Sequence, residues 1–77
     1  MVQAYILVQT EFGQVTDIAQ RISEIDGVVR AEDVTGPYDV VVRAEAEDID
    51  ALGRLVVAPI QRLDGIARTL TCPIVEL

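Results

Sequence analysis

The chain has no histidine, no tryptophan and no lysine, a single cysteine, and only Tyr5, Phe12 and Tyr38 as aromatics. Each scarcity removes a class of function. Without histidine there is no Ser/His or Cys/His pair for nucleophilic catalysis and no soft metal site of ordinary spacing, so no cofactor or metal is expected. Cys72 has no second cysteine to pair with. Beside Pro73 in an apolar run, and with no base to activate it, it reads as a small buried hydrophobe. The six bases are all arginine, scattered along the chain against thirteen acids, for a net charge of -7. Polyanion binding needs concentrated positive charge, and three separated aromatics form no stacking series, so no direct nucleic-acid partner is expected. The missing lysine carries no functional meaning. No apolar run approaches the roughly 20 residues of a membrane span, and Met1 leads into Val2 without a basic leader, so the expected location is cytoplasmic, away from membranes.

What remains is a short, apolar and acidic chain of 77 residues, read as one domain, 1–77. A chain of this size buries only about 60 % of its unfolded surface, which makes its core marginal. Disulfides and metals are excluded, so association with another chain is the expected support. The pattern of Val2 to Thr10 fits that: Val2, Ala4, Ile6 and Val8 share one face of a strand, and Tyr5 and Leu7 the other. Both faces are apolar, which implies that the second face is covered too, most simply by another copy of the sheet.

After a break at residues 11–14, Val15, Ile18, Ala19, Ile22 and Ile25 recur at helical spacing and predict a helix of about three turns on the sheet. Asp26-Gly27 ends it, with Gly27 suited to the left-handed position after a helix. Residues 28–34 and 38–46 read as two strands joined by Thr35-Gly36-Pro37-Tyr38-Asp39, the densest turn signal in the chain. Asp48 is a good N-cap for a second helix with Ile49, Leu52, Leu55, Val56 and Ile60 on one stripe. Within it Gly53 suggests close packing or a neighbour's approach, and Pro59 must kink the helix or end it and begin a last turn. A last strand follows Asp64-Gly65, with Ile66, Arg68, Leu70 and Cys72 alternating against Ala67, Thr69 and Thr71.

The chain also repeats itself. Ile22-x-x-Ile25-Asp26-Gly27-Val28-x-Arg30 returns as Ile60-x-x-Leu63-Asp64-Gly65-Ile66-x-Arg68, a constant offset of 64 − 26 = 38 residues. Two β-α-β halves of this kind make an α+β fold, the ferredoxin-like βαββαβ sandwich, a four-stranded antiparallel sheet with both helices on one face. The acids at Glu32-Asp33 and at Glu45, Glu47, Asp48 and Asp50 read as solvated or capping groups, and no phosphate-cradling glycine loop is present.

Thr35-Gly36-Pro37-Tyr38-Asp39 at a hairpin tip, Asp48-Ile49-Asp50-Ala51-Leu52-Gly53 at a helix start, and Gly65-Ile66-x-x-Thr69-x-Thr71 in the last strand together resemble the effector-binding (RAM) domain of the Lrp/AsnC family of transcriptional regulators. The resemblance covers the whole chain but includes no helix-turn-helix, so it is to a stand-alone form. It implies a non-enzymatic module of transcriptional regulation. It further implies a homodimer with its sheets face to face, rings of dimers, and a small amino-acid effector bound where dimers meet. Carried onto this chain, Gly36 and Pro37 would present backbone to the ligand, with Tyr38 beside it, and Asp39 would meet the α-ammonium. Thr69 and Thr71 of a neighbouring subunit would offer hydroxyls to the carboxylate, with Gln61 a further contributor. Full-length Lrp/AsnC regulators are the implied protein partners. The alternatives are a pure oligomerisation scaffold, an ACT-like regulatory domain of a metabolic enzyme with its ligand near residues 11–13, and an enzyme of the dimeric α+β barrel type.

Overall fold

The computed structural model describes residues 1–11 and 17–75. Four strands, β1 (Val2–Thr10), β2 (Val28–Asp33), β3 (Val40–Ala46) and β4 (Ile66–Pro73), form one antiparallel sheet in the order β2-β3-β1-β4. Between β1 and β2 lies helix α1 (Ile18–Ser23). Between β3 and β4 lies a second helical run, residues 49–61, made of α2 (Ile49–Leu52), a π-helical stretch (Gly53–Val57) and α3 (Ala58–Gln61). This is the ferredoxin-like sandwich that the two-fold echo predicts, and the echo is visible in three dimensions. Ile22 and Ile60 both have no exposed surface, and Gly27 and Gly65 both take a left-handed φ, at 97° and 93°. Each half then skips one residue on entering its strand. Val28 and Arg30 face the adjacent residues Ala44 and Arg43, leaving Val29 over. Ile66 and Arg68 face Thr10 and Gln9, leaving Ala67 over.

The second of these bulges corrects the strict alternation expected of the last strand. Ile66 sits opposite Thr10 and packs against the core with Thr69 and Thr71 on its side of β4, while Arg68 falls on the side of Leu70 and Cys72. One extra residue reverses the facing of everything before it. The alternation of β1 and β3 is as expected: Ala4, Ile6, Val8, Val40, Val42 and Ala44 have no exposed surface, and Ile18, Ile22, Leu52, Val56 and Ile60 pack on them from the helices.

The helices depart from expectation at five points. The first is described from Ile18 to Ser23, shorter than about three turns, and Val15 lies outside the described residues. Its end comes before Asp26, so Gly27 belongs to the following turn, closed by Val28 N–H donating to the Ile25 carbonyl at 3.1 Å. In the second run Asp48 caps as predicted, its carboxylate accepting from Ala51 N–H at 2.7 Å, but Ile49 and Leu55 are 57 % and 55 % exposed. The buried stripe is instead Leu52, Val56 and Ile60. Two steps of four residues overshoot two α-helical turns by about 80°, and the wider π turn absorbs the excess, which leaves Leu55 outside. Pro59 gives the physical reason for that turn. It has no N–H for the Leu55 carbonyl, and Ala58 N–H reaches back five residues to Gly53 instead. α-Helical bonding then resumes with Pro59 in the first turn of α3. Gly53 meets nothing within 4 Å of where a Cβ would stand, so no close packing in this chain requires it. Cys72 is exposed, contrary to the reading of a buried hydrophobe, because it pairs with Tyr5 on the sheet face opposite α1 and the second helical run.

Candidate functional site

The hairpin between β2 and β3 turns through residues 34–39, and Gly36 adopts a φ of 145° with open space around it. A side chain at that φ is strained, so glycine is what lets the chain turn here. Pro37 and Gly36 are exposed, whereas Tyr38 and Asp39 are half-buried. The tip is tied to the end of β1. Asp39 N–H donates to the Val8 carbonyl at 2.9 Å, and Val34 N–H donates to the Asp39 carbonyl at 2.9 Å. The Asp39 carboxylate is held by both donors of one residue: Thr10 N–H and Thr10 hydroxyl donate to Oδ2 at 2.8 and 2.9 Å. Gln9 Nε2 donates to the Pro37 carbonyl at 3.4 Å.

Neither Thr10 nor Gln9 stands out in the sequence. The antiparallel pairing of β1 with β3 would have found them, since continuing Val8 opposite Val40 by one step puts Gln9 beside Asp39. Asp39, a turn acid by its sequence, closes a clasp across 29 residues of chain.

Thr69 and Thr71 lie on β4, opposite Val8 and Ile6 and therefore on the helix-covered side of the sheet. The Thr69 hydroxyl accepts from Gln61 Nε2 at 2.9 Å, which joins two of the sequence candidates. Gly36 to Asp39 form a second group. Val8 faces Val40 on one side and Thr69 on the other, so β1 separates the two groups by about two strand spacings, ~10 Å.

The open face of the sheet holds a third cluster, which the sequence does not single out. Arg43 lies over the Tyr5 ring at 5.6 Å from its centroid, and its Nη2 donates to Gln3 Oε1 at 2.7 Å. Arg30 stands directly opposite Arg43 across β2 and β3, beside Glu32, whose carboxylate is 4.0 Å away. Two like charges facing each other on a sheet repel, and here the ring and the acid temper that repulsion. Around this cluster Tyr5 and Leu70 are 41 % and 48 % exposed. Among the described residues no helix is long and apolar enough to cross a membrane, and no group of acids and cysteine is arranged to hold a metal ion.

A family model for the Lrp/AsnC ligand binding domain matches residues 3–76. A crystal structure of a Thermus thermophilus protein superposes with a TM-score of 0.90 at 30% identity, over 100% of this chain and 96% of that one. The complex of a Neisseria meningitidis transcriptional regulator with L-Met superposes at 0.84 with 19% identity, over 97% of this chain and 50% of the regulator, a likeness of fold. Among curated sequences, an uncharacterized HTH-type transcriptional regulator of Pyrococcus furiosus is 26% identical over 55 residues, 71% of this chain and 37% of that protein. A homocitrate synthase of Sulfurisphaera tokodaii is 32% identical over 71 residues, 91% of this chain and 15% of the enzyme. The chain thus spans well under half the length of either curated relative.

Proposed function

The chain belongs to the Lrp/AsnC ligand-binding domain family, and from that premise we propose that it is a non-enzymatic effector module that binds a small amino acid and assembles with copies of itself. In this reading residues 1–77 act as one domain in the cytoplasm. The open sheet faces pair in a dimer, dimers join in a ring, and full-length Lrp/AsnC regulators are the partners through which binding reaches transcription.

One observation carries the binding half: Asp39 is anchored through Oδ2 alone, leaving Oδ1 without a hydrogen-bond partner among the described residues, at a tip whose backbone is open at Gly36. A carboxylate fixed in advance loses little freedom on meeting an α-ammonium group. Pro37 and Tyr38 flank it. Thr69, Thr71 and Gln61 would come from a neighbouring subunit, since β1 keeps those of the same chain apart from the tip. The L-Met bound by the Neisseria regulator supports an amino acid as the ligand class. The likeness to parts of both an HTH-type transcriptional regulator and a homocitrate synthase supports a sensing module that serves different outputs.

The second reading is a pure assembly scaffold, and the Thr10 clasp favours it, because it gives Asp39 a structural task of its own. Calorimetry of the native oligomer with the twenty amino acids at millimolar concentration separates the two. A sensor gives heat with at least one and loses it in Asp39→Ala while its native mass is kept. Silence with all twenty removes the sensing reading and leaves the scaffold.

A further inference from the structure

At the base of the same hairpin, the end opposite the tip, an open groove of about 440 Å³ runs between the turn at Gly27, the end of β3 and the second helical run. Its floor is apolar, with Ala46, Ala51, Leu55 and Val56 among the lining residues. Its rim carries the acids Asp26 and Glu47, while Glu45 lines it through its backbone beside Gly27 and stands opposite Gln3 on the open face of the sheet. The other acids nearby already have partners: Asp48 caps Ala51 N–H, and Asp50 pairs with Arg54 at 3.3 Å. The Asp26 and Glu47 carboxylates make no ion pair among the described residues, and none of the six arginines lines the groove.

Leu55 adds an apolar contact at the lip. It stands four residues after the buried Ala51 and is more than half exposed, because the π turn keeps Leu52, Val56 and Ile60 inward at its expense. An aliphatic side chain held at the lip of an apolar floor, with two uncompensated negative charges beside it, is complementary to a cation carried next to an aliphatic group. The groove is open to solvent, and such a surface suits side chains projecting from a peptide better than a small molecule, which binds by being enclosed.

We propose that this groove docks a peptide segment of a partner protein in which arginine or lysine alternates with aliphatic residues. The aliphatic side chain lies on Ala51 and Leu55, and the cation lies against Asp26 and Glu47. This surface is separate from the effector reading, being at the other end of β2 and β3.

The test uses the intact chain, labelled with nitrogen-15, and a short synthetic peptide alternating arginine and leucine, titrated at low salt. Saturable shifts of the Gly27, Ala46, Ala51 and Leu55 amides are expected, together with about tenfold weaker binding in Leu55→Ser and in Glu47→Lys. Glu32→Lys makes the same change of charge away from the groove and should alter affinity by less than about threefold. Both lip residues are exposed, and if Leu55→Ser does not fold, Glu47→Lys still decides. An arginine–serine peptide that binds equally well, or an equal loss in Glu32→Lys, would reduce the effect to attraction by net charge and overturn the proposal. So would equal shifts with butylamine alone, which would make the site one for small amines, and so would the absence of shifts at the groove.

Discussion

The two faces of the sheet are made by the same strands, alternating residue by residue, yet they stand in different states. On the helix side, Ala4, Ile6, Val8, Val40, Val42 and Ala44 are completely covered. On the other, Tyr5, Leu7, Val41 and Leu70 are covered in part or hardly at all, with Arg30, Arg43 and Cys72 among them. The first face is what holds one chain together, because its apolar area is removed from water by the chain itself. The second leaves apolar area open to water, the area that the proposed dimer would cover. A domain this small gains by using both.

That contrast can be broken most severely from the covered side. Ile6→Ala leaves a void between the sheet and both helices and should cost about 2–5 kcal/mol, read as a lower urea midpoint with an unchanged slope. Gly27→Ala comes next. A Cβ there would lie 2.8 Å from Val56 Cγ2 and 3.0 Å from the Glu45 carbonyl, at a φ of 97°. A loss of about 1–3 kcal/mol is expected in the same assay, with Gly53→Ala, which meets nothing, as its neutral or stabilising counterpart. Asp48→Ala removes the cap of the second helical run and should lose about 1 kcal/mol. On the open face Leu70→Glu should change the fold of a single chain by less than about 0.5 kcal/mol, with an unaltered far-ultraviolet circular dichroism spectrum. It should nevertheless lower the native mass. An unchanged mass in Leu70→Glu would place the association surface elsewhere and erase the difference between the faces.

How much of this could be read in advance differs from element to element. The strands and the hairpin were legible because period-two alternation and the Gly-Pro-Tyr-Asp turn are local signals. The 38-residue echo was enough to choose the topology. Leu55 misled because the helical wheel assumes a constant 3.6 residues per turn and the π turn just before Pro59 breaks that assumption, whereas Ile49 stands exposed in α2, ahead of that turn. Ile66 misled for the parallel reason in a strand, a bulge at Ala67 that no local signal marks. Of the candidate site, Asp39 was visible as a turn acid, but its bond to Thr10 was not. Thr69 was visible as a hydroxyl on the last strand, but its contact with Gln61 depends on where the helix ends.

The sequence by itself determined the architecture: alternation and helical spacing specify which residues must leave water, and in a chain of two matching halves only a few arrangements remove them all. Tertiary structure alone decided which of the apolar residues stayed outside. Bulges and the π turn depend on how the elements meet, and a pattern read along the chain does not contain that information. The same is true of Asp39, Thr10, Gln61 and Thr69, whose partners are far along the chain and adjacent only after the strands pair.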